Sequence, residues 1–169
     1  AYTDGSMIPI KNYIAPRVEA EIAFITKSEI AGPIYEIKEV LPALKFVTPA
    51  IEILDSRYQN FQFDLISVVA DNTSAAGFVA GDCLQAPAEL DLVGLKVVVE
   101  KNGCVIEEGT GAAVLGNPVE SVVMLANNLC RRGEVIPAET FIMTGGITAA
   151  TVVEKGDKIC AIFEDIGSL

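Results

Sequence analysis

Residues 18–25 read VEAEIAFI, and this strict alternation constrains the fold more than any other stretch of the chain. In an extended strand successive side chains point to opposite faces, so Val18, Ala20, Ile22 and Phe24 share one face while Glu19 and Glu21 share the other. Such a strand needs an apolar layer on one side only. On its other side it must accommodate two carboxylates about 7 Å apart along the chain. Carboxylates that close repel each other unless water, a proton or a cation relieves them. Two settings meet that need: a sheet face bathed in solvent, or a site that holds a cation.

The remaining pattern reads as short strands with few helices. Residues 95–101 and 104–108 flank Asn102-Gly103, a dipeptide that accepts the positive φ of a type I′ turn, and so predict a β-hairpin. A helix is expected where Ile37, Val40, Leu41 and Leu44 recur at helical spacing, with Pro42 marking a break or a start. A second helix has Asn117 as cap and Pro118 in its first position. Val122, Leu125, Ala126 and Leu129 form its apolar stripe, Arg131 and Arg132 its basic end, and Gly133 its stop. The tail predicts strands over 140–143, 149–153 and 158–163, separated by turns at 144–146 and 155–157. No repeat, low-complexity tract or linker intervenes, so one α+β, β-rich domain over residues 1–169 is expected.

Charge and residue usage exclude several classes of function. The chain has 23 acidic against 12 basic side chains, and its pI is near 4.4. Nucleic acid is a poor partner for it, because phosphate backbones are gripped by clustered Lys and Arg, which here are few and scattered. Histidine is absent. That removes Ser-His-Asp and Cys-His nucleophiles and any zinc site built on imidazole. Cys83, Cys104, Cys130 and Cys160 form no CxxC pair and are expected to be reduced core thiols. No apolar run approaches the roughly 18–20 residues that span a bilayer. The first residues lack the basic start and apolar centre of a signal peptide, so the cytoplasm is the expected compartment.

A third acid, Glu52, sits in PAIEILDSR among apolar neighbours that predict a mostly buried strand, and a buried Glu needs a partner. Spacing alone does not bring Glu52 to Glu19 and Glu21. The string PRVEAEIAF, followed by PAIEILDSRYQNFQFDLISVVADN, GTGAAVLGNPVESVVMLANNL and FIMTGGITAATVVEKGDKICAIFEDIGSL, closely resembles the fumarylacetoacetate hydrolase superfamily over essentially the whole chain. Within it, the chain looks like the hydratase and decarboxylase branch of catechol meta-cleavage pathways. The stretches DSRYQNFQFDLISVVADN and MTGGITAA look more like the 4-oxalocrotonate decarboxylases than the 2-oxopent-4-enoate hydratases. The resemblance implies a mixed β-roll or barrel of the superfamily's C-terminal type with a few short helices. It also implies Mg²⁺ or Mn²⁺ bound by Glu19, Glu21 and Glu52.

The activity so implied is decarboxylation of 2-oxohex-3-enedioate to 2-oxopent-4-enoate. Loss of CO₂ leaves an electron pair that must travel through the C=C bond to the keto oxygen, and a metal chelated by the 2-oxo acid would stabilise the resulting dienolate. Three glutamates and a divalent cation sum to about −1 while the substrate is a dianion, so nearby positive charge or donors must compensate. Arg57 and Lys27 are the candidate catalytic cations. Asn72, Ser74, Thr144 and Gly145 are the candidate substrate-binding donors, the first two because the resemblance places ADNTSAAG beside the metal pocket. Plainer roles stand beside these: an Arg57–Asp55 ion pair, a solvated Lys27, and a Thr144-Gly145-Gly146 stretch that only turns the chain. The resemblance further implies a small 2-oxo dicarboxylic acid as substrate, a homo-oligomer, and a complex with the pathway hydratase. Two other readings compete with the decarboxylase: the hydratase itself, and a non-catalytic β-roll that assembles with a related enzyme. The family's proteins carry an upstream region that supplies a catalytic lysine, so residues 1–169 are expected to be the metal-binding core of a longer enzyme.

Overall fold

The computed structural model describes residues 1–169 and arranges their strands in two sheets. The larger runs in the order β1 (Tyr2–Thr3), β4 (Ala75–Ala80), β3 (Leu44–Asp55), β2 (Pro16–Thr26), β7 (Phe141–Gly146), with β8 (Thr151–Val152) also paired to β2. Its edge strand β1 is parallel to β4 and the other pairs are antiparallel, which makes the sheet mixed. The smaller sheet is antiparallel, in the order β10 (Gly167–Ser168), β9 (Ile159–Phe163), β5 (Lys96–Lys101), β6 (Cys104–Thr110). The chain is thus β-rich α+β, as its pattern predicts.

The alternating segment lies in the centre of the larger sheet. The β2–β3 ladder runs without a slip from Pro16 opposite Asp55 to Ile25 opposite Phe46. Val18, Ala20, Ile22 and Phe24 are all buried on one face, in a core of 28 residues shared with Val97, Ala161 and Phe163 of the second sheet and with Val119, Val122 and Ala126. The last three belong to helix α3 (Val119–Cys130), which follows a turn where the Val119 N–H donates to Asn117 Oδ1 at 3.0 Å and stops at Gly133, φ +72°.

Two aromatic rings show that the larger sheet is curled. Phe78 on β4 lies opposite Glu52, and Phe141 on β7 opposite Ile25. In a flat sheet these two strands would stand three spacings, or roughly 14 Å, apart, with side chains projecting perpendicular to the sheet. Their rings instead stack with centroids 5.1 Å apart and planes 13° apart. Strand alternation puts both rings on the face that carries Glu19 and Glu21, so that face is the concave one.

Local expectations fared unevenly. The hairpin forms, with Asn102 and Gly103 at φ +56° and +79° as a type I′ turn requires. Of the first predicted helix only α1 (Ile37–Val40) is α-helical; residues 41–43 tighten into a 3₁₀ turn and Leu44 already begins β3. Pro42, which has no N–H to donate back along a helix, accounts for the change. Helix α2 (Leu65–Ala70) had no periodic signature; its start is set by Asp64, whose Oδ1 accepts from the Ser67 N–H at 2.7 Å. The expected turn at 144–146 is strand, interrupted by a bulge: the β2–β7 register shifts between Glu21 and Ala23, and Gly145 has φ +107°. The cysteines are all free thiols, but none is a core residue. Cys104 is exposed beside the hairpin turn, and the other three are half-buried. No helix is long and apolar enough to cross a membrane.

Phe24 is fully buried. Replacing it with Ala should lower stability by about 3–5 kcal/mol through lost burial and an unfilled cavity, measured by urea unfolding.

Candidate metal centre

Strand register brings the three glutamates together. Glu19 lies directly opposite Glu52 in the β2–β3 ladder, and Glu21 follows two residues on along the same face. Carboxylate oxygens of all three lie within 4.8 Å of one another. Like charges placed opposite each other destabilise a sheet pair. Here Glu21 is only 2% exposed, Glu19 and Glu52 are half-buried, and none of the three forms an ion pair with Lys or Arg. The solvated-face setting therefore does not apply.

The bulge in β7 is built around these carboxylates. With its positive φ, Gly145 turns its N–H onto Glu21 Oε2 at 2.8 Å. At Gly146 a Cβ would lie 2.6 Å from the Glu19 carboxyl carbon, so any other residue there would push the Glu19 carboxylate out of its present position. The bulge is pinned on both sides. Thr144 Oγ1 donates to the Ile22 carbonyl at 2.8 Å, Ser121 Oγ of α3 donates to the Thr144 carbonyl at 2.7 Å, and the Ile147 N–H donates to the Ala20 carbonyl at 2.8 Å.

The electrostatics follow from this crowding. Burial, then the charge of Glu52, pushes Glu19 up to about 7. Burial also pushes Glu21 up to about 8, against the opposing pull of the Gly145 N–H and with added repulsion from Glu52 and Glu19. Glu52 is raised by burial as well, while hydrogen bonding to Glu21 and Glu19 draws it back. In the metal-free chain the cluster therefore retains protons that isolated glutamates would have lost.

The other expected site residues lie elsewhere or are otherwise engaged. Lys27 is exposed beyond the far end of β2, roughly 20 Å of extended chain past Glu21. Arg57 follows the opposite end of the ladder and pairs with the buried Asp71. The expected Arg57–Asp55 pair does not form, because both oxygens of the Asp55 carboxylate accept the N–H groups of Ile14 and Ala15 at 2.7–3.0 Å. Ser74 is buried with its hydroxyl on Asp71, and the exposed Asn72 side chain donates to the Ala75 carbonyl. The Thr144 hydroxyl and Gly145 N–H, expected to face substrate, are spent on the Ile22 carbonyl and on Glu21.

Residue-by-residue reading missed Gly146, the Phe78–Phe141 stack and Arg17. Only Arg17 left a usable signal. It precedes Glu19 by two positions on the unslipped strand and so belongs to the same face. Its guanidinium lies 4.0 Å over the Phe61 ring, in a cleft of about 330 Å³ that is lined also by Ile14, Pro16, Asn60 and Val152.

No family model matches the chain. It is 54% identical over 166 residues to a 4-oxalocrotonate decarboxylase from Pseudomonas sp. (strain CF600), covering 98% of this chain and 63% of that protein. It superposes with a TM-score of 0.95, at 50% identity, on a 4-oxalocrotonate decarboxylase from Pseudomonas putida G7 solved in complex with magnesium and adipate, covering 99% of this chain and 64% of that one. The chain belongs to the hydratase and decarboxylase branch of the fumarylacetoacetate hydrolase superfamily. Within this branch it is also 44% identical over 129 residues to a 2-hydroxypent-2,4-dienoate hydratase from Pseudomonas putida, covering 76% of this chain and 58% of that one. It thus spans somewhat less than two thirds of the length of these superfamily relatives.

The raised carboxyls set a pH dependence. An unfolded glutamate loses its proton near its ordinary value of 4.5, whereas the folded metal-free chain holds protons on Glu19 and Glu21 up to about pH 7 and 8. Between those limits the folded state binds more protons than the unfolded one, so stability falls as pH rises from about 4.5 and the loss is complete above about 8. The thermal midpoint of EDTA-treated protein should accordingly be lower at pH 8.5 than at pH 5. A midpoint that rises over that interval in the wild type, and not in a Glu21→Gln variant, contradicts this account.

Proposed function

We propose that residues 1–169 form the metal-binding core of a decarboxylase that converts 2-oxohex-3-enedioate to 2-oxopent-4-enoate with Mg²⁺ or Mn²⁺. The observation that carries this reading is the convergence of Glu19, Glu21 and Glu52 on one concave, half-buried face. An all-carboxylate donor set suits a hard divalent cation and not a soft or imidazole-seeking one. The crowded acids fit such an ion: without it they must hold protons, and with it they are free to ionise. Similarity to 4-oxalocrotonate decarboxylases over nearly the whole chain, one of them solved with magnesium, supports the same assignment.

When bound there, a divalent cation supplies Lewis acidity to the 2-oxo acid end of the substrate. The chain's own residues supply the rest of the site. Glu19, Glu21 and Glu52 hold the cation, and the Gly145 N–H fixes the Glu21 carboxylate so that little reorganises when charge develops. Gly146 keeps the space that Glu19 occupies. The Phe78–Phe141 stack gives the same face an apolar wall. Such a wall favours departure of a carboxylate as neutral CO₂ and disfavours the ordered water that a hydratase needs, which sets the decarboxylase ahead of the hydratase here. We place the enzyme in the cytoplasm, as a homo-oligomer that associates with the hydratase acting on its product.

CO₂ release from 2-oxohex-3-enedioate by the full-length protein should depend on Mg²⁺ or Mn²⁺. Glu52→Gln should lower kcat by two orders of magnitude or more, because the variant loses one anionic ligand from the metal site. Turnover in EDTA, or an unaffected Glu52→Gln variant, would rule the assignment out; hydration of 2-hydroxypenta-2,4-dienoate without CO₂ release would assign the hydratase instead. Gly146→Ala should weaken Mn²⁺ binding at least tenfold by displacing Glu19, as read by titration calorimetry.

A further inference from the structure

We infer that Phe78 is a specificity-determining residue that drives out the departing carboxylate: its ring denies that group hydration, so the site binds the dianionic substrate less tightly and releases CO₂ faster. This deepens the proposed function and rests on it. Register puts Phe78 directly opposite Glu52, on the face that carries the three acids. Cross-strand neighbours on one face have Cβ atoms about 5 Å apart, so the ring stands beside the Glu52 side chain.

The aromatic pair closes that side of the site. Phe78 and Phe141 project from β4 and β7, the strands that flank β3 and β2, so their stacked rings meet over the face between them. Next to Glu21 on that face are Ala50, opposite it on β3, and Ala23, two residues on along β2. Both are completely buried, as is Thr48 opposite Ala23, whose hydroxyl is spent on the Gly81 carbonyl at 3.0 Å. The floor beside the acids is therefore closed to solvent and offers a carboxylate no free donor. Along the strands in the other direction the next side chain on the face is Arg17, a cation that would hold a carboxylate in place. The ring side is the one that suits expulsion.

Decarboxylation breaks the bond to the carboxyl carbon remote from the 2-oxo acid. The electron pair of that bond moves through the C=C bond to the keto oxygen, CO₂ leaves uncharged, and one proton taken up by the dienolate completes 2-oxopent-4-enoate. A carboxylate against the ring gives up its hydration on binding, whereas the CO₂ it becomes needs none. An apolar neighbour therefore raises the bound substrate more than the transition state, in which the charge is already leaving.

Phe78→Gln and Phe78→Leu, made in the full-length protein loaded with Mn²⁺, separate this role from simple packing. The binding probes are 2-oxoadipate and 2-oxohexanoate, six-carbon 2-oxo acids with and without the remote carboxylate, both lacking the alkene that the reaction needs. Phe78→Gln should lower kcat for CO₂ release about 100-fold and yet tighten 2-oxoadipate at least fivefold relative to 2-oxohexanoate, with Mn²⁺ affinity within threefold of wild type. Phe78→Leu, which keeps the site apolar, should stay within about tenfold of wild type in kcat and leave the ratio of the two affinities within twofold. Equal kcat losses in both variants, or weaker relative binding of 2-oxoadipate by Phe78→Gln, would overturn the inference. Should the variants at this position fail to fold, Phe141→Gln tests the same wall from β7: lower kcat with tighter relative binding of 2-oxoadipate supports the role, and any other pairing counts against it. Failure of the decarboxylase assignment would show separately, as absence of Mn²⁺ binding or of CO₂ release by the wild type.

Discussion

The unslipped pairing of β2 with β3 is the constraint on which the rest of the molecule depends. It places Glu19 opposite Glu52 and Glu21 beside them, and it puts Val18, Ala20, Ile22 and Phe24 into the core behind. A shift of one residue would send the acids into the apolar layer and the aliphatic side chains onto the concave face. The core and the acidic cluster thus select the same register from opposite sides of one strand.

That register has a cost. Two carboxylates face each other across the strand pair and a third is almost fully buried beside them; burial raises all three, and repulsion adds to the rise of Glu19 and Glu21. A sequence selected only for stability would place apolar or uncharged residues there. The surrounding structure accommodates the acids in specific ways: an N–H from Gly145 onto Glu21, a missing side chain at Gly146 beside Glu19, and Thr144 and Ser121 hydroxyls that anchor the strand carrying both glycines. These contacts hold the three carboxylates in one place, as a preorganised cation site would need.

Two arginines at one end of the ladder meet different fates. Arg57 pairs with the buried Asp71, whose oxygens also accept from Ser56 and Ser74 and so tie the start of β4 to the end of β3. Arg17 has no such partner and rests against a ring at the edge of a cleft. The sequence reading named Arg57 and did not consider Arg17.

Much of the molecule is nonetheless legible in the sequence. The period of two across residues 18–25, the Asn-Gly turn at 102–103 and the capped helix after Asn117 all state local preferences, and local preferences survive wherever tertiary packing agrees with them. The Thr-Gly-Gly stretch misled because glycine permits both a turn and a bulge, and only the presence of β2 alongside decides between them. The helical spacing of Ile37 to Leu44 misled because Pro42 and the pairing of Leu44 with Thr26 end the helix early. By itself, the sequence determined that two acids share a strand face, that imidazole chemistry is absent and, through its resemblance, which family of folds applies. Only the tertiary structure decided that Glu52 completes the cluster, that Gly146 makes room for it and that Arg57 is engaged by Asp71. These are relations between residues far apart along the chain, set by strand register and sheet curl, and no local propensity encodes them.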